Sequence, residues 1–224
     1  MSAASKSVLV FDVNETLLDL RALRPVFEVE IGGTELLPVW FGQMLRNSLI
    51  ATITETYRPF DELGVAALRL VTKRAGAEVA AEAAERVVGA MRELPAHPDV
   101  RPALERLRDA GFTLVTLTNS SPSMVHEQIH NAGLADLFDE LFSVEAARRF
   151  KPSEVAYRSA ADRLGAPIGE LRLIAAHNWD VTGAIRAGMK AAFVARSGMF
   201  MTEVDERPDI VAVDLGGIAD ALAG

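Results

Sequence analysis

Four short polar clusters in this 224-residue chain place reactive residue types at the ends of apolar runs. They are Asp12-Val13-Asn14-Glu15-Thr16, Thr118-Asn119-Ser120-Ser121, Lys151-Pro152 and His177-Asn178-Trp179-Asp180. A carboxylate at a strand end beside a lysine is a workable nucleophile. The ammonium keeps it ionised and screens an incoming anion, and nearby backbone N–H groups orient it. Asp12 and Lys151 are the residues for that chemistry. Thr118 and Asn119 offer short hydroxyl and amide donors to an anionic substrate group. Any one cluster alone reads as well as a helix cap or a solvated surface, because Asp is common at helix starts. Four of them at successive strand ends make coincidence the poorer account.

The elements that must position these clusters follow from hydrophobic rhythm. Ser7–Phe11, Phe112–Thr118, Glu140–Ser143, Leu171–Ala176 and Ala191–Val194 are short apolar, strand-like runs. Between them lie helical patterns at Val100–Ala110, Pro122–Asn131, Ser153–Leu164 and Thr182–Ala187, with Gly133 and Gly188 as stops. Alternation of strand and helix predicts an α/β fold, a doubly wound parallel sheet flanked by helices. From Leu17 to about Leu94 the pattern is helical, broken at Gly32-Gly33, Pro38, Pro59 and Gly76, with repeats at Ala66–Lys73 and Val79–Met91. The expected organisation is a core of residues 1–16 and 95–224, with a helical cap subdomain at 17–94. Such an insertion commonly sits over the carboxyl ends of the strands, where open α/β sheets bind ligands.

Composition excludes several classes. The chain has no cysteine, which removes disulfides, thiolate metal sites and cysteine nucleophiles. A net charge of −8 with scattered basic residues argues against a nucleic-acid partner. No apolar run is long enough to span a bilayer, and the lead-in MSAASKS is not a signal peptide. A cytoplasmic location is expected. Half of the residues are hydrophobic (50%), ample for a buried core.

The motifs FDVNETLLD, LTNSSP, Lys151-Pro152 and HNWDVTGA resemble the four motifs of the haloacid dehalogenase superfamily. The spacing of Tyr157 after Lys151, and Trp179-Asp180 before Gly183-Ala184, resembles its type II L-2-haloacid dehalogenase branch. The resemblance spans nearly the whole chain, helical insertion included. It implies a Rossmann-like core with a cap, and a hydrolase acting at the α-carbon of a 2-halocarboxylic acid. Asp12 would attack that carbon and expel halide, and water would hydrolyse the resulting ester. Lys151 and Asp180 would form the supporting charge pair, with Thr16, Thr118, Asn119 and Tyr157 at further functional positions. No metal or other cofactor is implied, the partner is a small carboxylic acid, and a homodimer through cap helices is suggested, with the Ala-rich Ala80–Ala90 stretch permitting close packing.

Departures from the pattern keep other readings open. The phosphatases of the superfamily carry a second aspartate where Asn14 stands and a magnesium aspartate near Ala176, so phosphoryl transfer is disfavoured. The dehalogenases carry an arginine that receives halide where Phe41 follows Trp40. Arg46 lies about 140° around the same helix, and Arg58 is a more flexible substitute. The aromatic set Trp40, Phe41, Tyr57 and Phe60 reads either as core and pocket wall or as π faces for a cationic leaving group. The second reading suits hydrolytic ring opening of a small cyclic amino acid such as azetidine-2-carboxylate. Trp179 joins Trp40, Phe41 and Phe60 among the expected substrate contacts, together with the N–H groups of Val13 and Asn14. His177, with an ordinary pKa near 6.5, is the expected neutral-pH base for water, and Asn14 is expected to help position that water. A degenerate, non-catalytic binding module is the remaining alternative.

Overall fold

The computed structural model describes residues 7–224, so most of the polar lead-in lies outside the described residues. Strand β1 (Val8–Phe11) is apolar throughout and buried from its second residue onward, as suits a strand covered on both faces. The chain then runs through helices α1 (Arg24–Ile31), α2 (Leu36–Ile53), α3 (Phe60–Arg74) and α4 (Ala81–Gly89). It returns through α5 (Val100–Asp109) to β2 (Thr113–Thr118) and continues with α6 (Pro122–Asn131), β3 (Glu140–Ser143), α7 (Glu154–Leu164) and β4 (Leu171–Ala175). The last elements are α8 (Asn178–Ala187), β5 (Lys190–Val194), β6 (Ile210–Ala212) and α9 (Leu215–Ala223).

The strands form one parallel six-stranded sheet in the order β3-β2-β1-β4-β5-β6. Flanking helices complete an α/β fold of the doubly wound kind. Strand order reverses at β1, which pairs with β2 on one side and β4 on the other. The crevice beyond the carboxyl ends of β1 and β4 is therefore the topological switch point, the place where such sheets bind ligands.

The segments leaving and re-entering the sheet run side by side. Leu18 bridges Ala96 in antiparallel sense, Asp19 N–H donates to the Pro95 carbonyl (2.9 Å) and His97 N–H to the Leu17 carbonyl (2.9 Å). Between them α2 packs on α3, α3 on α4 and α4 on α1, around buried Phe27, Trp40, Met44, Leu68 and Val87. No helix of the described residues is long and apolar enough to cross a membrane.

Several boundaries differ from expectation for identifiable reasons. Pro38 was expected to break a helix but is the third residue of α2. In a first turn its missing N–H deprives no carbonyl of a partner. Helix α8 begins at Asn178 rather than Thr182, so Asp180 sits in its first turn. The terminal β6–α9 pair was not anticipated, because three residues of strand and the Leu-Gly-Gly start of α9 carry little periodic signal. Ala83 and Ala84, in the stretch expected to pack between subunits, are buried within the chain itself.

Candidate active site

Asp12 directly follows β1, and its N–H donates to the Ile174 carbonyl of β4 (3.1 Å), which fixes it at the crevice. Thr118 ends β2, His177 follows β4, and Lys151 is delivered by the turn after β3. The clusters read from the sequence thus converge on one edge of the sheet. Lys151 is 1% exposed and uses all its ammonium protons. They go to Asp12 Oδ1 (2.8 Å), Asp180 Oδ2 (2.6 Å) and the Leu117 carbonyl (2.8 Å). Asp180 Oδ1 accepts from the Tyr157 hydroxyl (2.6 Å). The second oxygen of Asp12 accepts from Thr16 Oγ1 (2.7 Å), whose own oxygen accepts from Ala176 N–H (2.9 Å).

Charge decides the ionisation of this cluster. Burial alone would raise the Asp12 carboxyl, but Lys151 and His177 outweigh it and hold Asp12 well below the ordinary carboxylate range. Burial would likewise lower the Lys151 ammonium, and Asp12 with Asp180 reverses the sign and raises it. Asp180 is pushed up by burial and by the neighbouring Asp12 charge, against the pull of Lys151. Asp12 is therefore a fully ionised carboxylate in a buried site, pre-aligned by donors on both oxygens.

His177 departs from its expected role as a neutral base. Nδ1 lies 3.2 Å from Asp12 Oδ2 and Nε2 lies 2.9 Å from Glu15 Oε2. Burial favours the neutral ring, yet hydrogen bonds and charge from these two carboxylates push it up to about 10. The resting ring is an imidazolium with both N–H groups donating. Glu15 is the partner that sequence reasoning missed; it lies in the same loop as Asp12 but 162 positions from His177.

Asn14 is also corrected. Its Nδ2 donates to Ser120 Oγ (3.1 Å) and its Oδ1 accepts from Gln128 Nε2 (2.9 Å), so the buried amide ties the β1 loop to the β2 loop and α6. Both ends of its amide are thus engaged by side chains of the neighbouring loop and helix. Asn119 behaves differently. Its Oδ1 accepts from Lys151 N–H (2.9 Å), while its buried Nδ2 has no partner. A buried unpaired donor costs about 1–3 kcal/mol, and here it lies beside the nucleophile. The N–H groups of Val13 and Asn14 also have no acceptor among the described residues. Thr118 Oγ1 accepts from Ser120 N–H (3.2 Å), leaving its own proton to donate.

The aromatic residues divide. Trp40 is fully buried, with Nε1 donating to the Gly64 carbonyl (2.8 Å), so it belongs to the helical interior and not to a substrate wall. Phe60 is 1% exposed and packs on Phe150 with ring centroids 5.8 Å apart, one residue from Lys151. Phe41 and Trp179 both face His177, with centroids 6.4 Å and 5.1 Å from the imidazole. Of the π faces considered for a cationic leaving group, Phe41 is thus turned to the His177 ring and Trp40 is enclosed among the helices. Arg58 is exposed at the surface, 4.0 Å from Glu62. Arg46 instead lines a cavity of about 180 Å³ with Gly42, Leu45, Leu49, Lys151, Pro152 and Trp179. It has no carboxylate partner among the described residues.

The profile of the haloacid dehalogenase-like hydrolases matches residues 6–188. An (S)-2-haloacid dehalogenase of Pseudomonas sp. strain CBS-3 is 30% identical over 189 residues, covering 84% of this chain and 83% of its own length. Haloacetate dehalogenase H-2 of Moraxella sp. strain B is 26% identical over 217 residues, 96% of this chain and 97% of its own. The L-2-haloacid dehalogenase structure from Xanthobacter autotrophicus with chloropropionic acid covalently bound superposes with a TM-score of 0.92 at 26% identity, covering 98% of this chain and 99% of that one. By sequence and by structure, the chain belongs to the haloacid dehalogenase-like hydrolases.

Proposed function

We propose that the protein hydrolyses the carbon–halogen bond of small (S)-2-haloacids through an ester on Asp12. The observation that carries this reading is the Lys151 ammonium hydrogen-bonded to both Asp12 and Asp180. It keeps the nucleophile anionic while offsetting its charge against an anionic substrate. Asp12 displaces halide at the α-carbon, the electron pair of the new C–O bond coming from the carboxylate. Water then attacks the Asp12 carbonyl carbon and releases the 2-hydroxyacid. The substrate carboxylate is matched by the free Asn119 Nδ2, Thr118 and the N–H groups of Val13 and Asn14. Arg46, in the cavity that reaches Lys151, supplies a cation where Phe41 supplies none.

The helices between Leu18 and Ala96 act as a cap in this proposal, and the paired segments at their base as its attachment. A cytoplasmic setting and a homodimer belong to it as well. The exposed apolar residues Val39, Ile50 and Ile53 of α2 suit a subunit contact better than the buried alanines of α4. Sedimentation at micromolar concentration distinguishes dimer from monomer.

The reaction is tested by incubating the protein with (S)-2-chloropropionate, measuring halide, and quenching rapidly for mass spectrometry of the Asp12 peptide. A peptide heavier by the propionate moiety is expected. Asp12→Asn should lower turnover by about 10⁴ or more. Halide release that survives Asp12→Asn would refute covalent catalysis.

A further inference from the structure

Thr16 gives its hydroxyl proton to Asp12 Oδ2 and accepts the Ala176 N–H, yet it lies in a turn outside every strand and helix. Its carbonyl is held from far along the chain. Arg196, two residues past β5, donates to that one oxygen from Nε (3.1 Å) and Nη2 (3.0 Å). Nη1 meets both oxygens of Asp99 (2.7 and 2.8 Å), and Asp99 also accepts the Leu215 N–H that opens α9 (2.8 Å). The Arg196 side chain is 10% exposed. Thr16 stands where the chain leaves for the inserted helices and Asp99 where it has returned, beside the backbone bond from His97 to Leu17. One guanidinium thus spans both segments.

From this geometry we infer that Arg196 is a positioning residue for the nucleophile, acting through Thr16, and that its bond to Asp99 ties this positioning to the seating of the two segments. The inference rests on the Asp12-ester reading given above. Arg196 touches no reacting atom. What it fixes is the Thr16–Leu17 peptide plane, and with it the direction of the Thr16 hydroxyl. Lys151 and His177 attract Asp12 as charges, and charge attraction tolerates rotation of the carboxylate. The neutral hydroxyl, 2.7 Å from Oδ2, acts only along its own direction. Displacement at a saturated carbon needs the attacking oxygen in line with the departing bond, and a misplacement of about 1 Å costs on the order of 10² in rate.

Two features suit Arg196 to this task. Its planar fork brings two N–H groups to a single acceptor, which the point charge of a lysine does not reproduce. A cavity of about 270 Å³ also adjoins it, lined by Arg196, Asp99, His97, Ser197 and Met199 among others. Without the guanidinium, water from that cavity satisfies the Thr16 carbonyl but leaves the peptide free to turn. Loss of Arg196 is therefore read in orientation and rate, beyond the stability of its ion pair.

A double-mutant cycle decides whether Arg196 works through Thr16. First-turnover halide release from (S)-2-chloropropionate is measured by rapid quench for wild type, Arg196→Gln, Thr16→Val and the two together. Each single change is expected to slow the first turnover by about 10- to 100-fold, with KM nearly unchanged. The double variant should be no slower than Thr16→Val, because the hydroxyl that Arg196 directs is already gone. A purely structural clasp gives losses that multiply; that result overturns the inference, as does an undiminished rate in Arg196→Gln. Should Arg196→Gln fold poorly, Arg196→Lys keeps a cation beside Asp99. Its first turnover should still be slowed at least about 10-fold, and a wild-type rate overturns the inference. Hydrogen exchange at the Ala176 amide needs no substrate. In Arg196→Lys it should quicken by about 10-fold or more relative to the amides of β4, and an unchanged ratio overturns the hold on Thr16. A wild type with no first turnover overturns the dehalogenation reading alone, and the exchange ratio then decides the role of Arg196.

Discussion

Lys151 donates to two carboxylates and a carbonyl from a site 1% exposed, so its removal leaves Asp180 without a counter-charge and Asp12 with His177 alone. Breaking a buried pair from one side costs about 3–5 kcal/mol, more than the pair contributes over an apolar substitute. Lys151→Ala is therefore expected to lower the unfolding free energy by about that amount in urea titrations, besides abolishing activity. A loss near zero would mean that water enters freely and that the site is not dry. Asn119 is tested through binding. Its Oδ1 already serves the Lys151 backbone, and its Nδ2 waits unpaired. Asn119→Asp keeps the acceptor and sets a second carboxylate oxygen against an anionic substrate. The expected outcome is a rise in KM of roughly 10- to 100-fold, the value of a charged hydrogen bond, together with a lower melting temperature, because the new carboxylate is buried without a counter-charge. An unchanged KM would remove Asn119 from the substrate's contacts.

At the scale of elements, the site depends on how closely α7 and α8 approach. A Cβ on Gly183 of α8 would lie 2.4 Å from Pro152 Cβ and 2.6 Å from the Tyr157 hydroxyl oxygen. Gly183→Ala must then displace the proline that follows Lys151 or the tyrosine that holds Asp180. It should destabilise by about 1–3 kcal/mol, as overpacking does, and slow turnover without changing the site's chemical groups. Wild-type kinetics in that variant would show that the two helices have slack. Much of this arrangement was legible beforehand. Val8–Phe11 could be read as a buried strand because it is uniformly apolar, and Pro122–Asn131 was bounded by its Ser121-Pro122 start and its Ala132-Gly133 end. The start of α8 was not legible, since its first turn sets polar Asn178 and Asp180 around a lone Trp179, which gives no apolar rhythm. Trp40 was assigned to the substrate because clustered aromatics look alike from sequence whether they face a pocket or one another. Only the Gly64 carbonyl accepting from its indole distinguishes the two. The Glu15–His177 contact was hidden for a different reason: nothing local in a sequence marks a pair that the sheet's switch point brings together.

For the whole molecule, the charge cluster makes stability depend on pH in a direction the site dictates. His177 titrates near 10 when folded, against about 6.5 for a free imidazole. Its contribution is fully present below the unfolded value and is lost as pH rises through the folded one. Asp12 runs the other way: its folded carboxyl is depressed, so its contribution is present above the ordinary carboxylate pKa and fades as acid is added. His97, lowered by burial and by Arg196, favours the folded state when neutral and works against stability as pH falls below its ordinary value. Lys151 and Tyr157 are both raised above ordinary values already at 10 or higher, so they leave the neutral-to-alkaline window to His177. Between pH 7 and 10 the unfolding free energy should decline, by at most ~1.4 kcal/mol per pH unit for this single proton. His177→Asn should flatten that decline, and Asp12→Asn should weaken it by removing one of the two anions that hold the proton. Guanidinium titrations at several pH values measure both slopes. If wild type and His177→Asn lose stability in parallel over that range, the imidazolium is not part of the folded state, and the ring would be the ordinary neutral base that its residue type alone suggests.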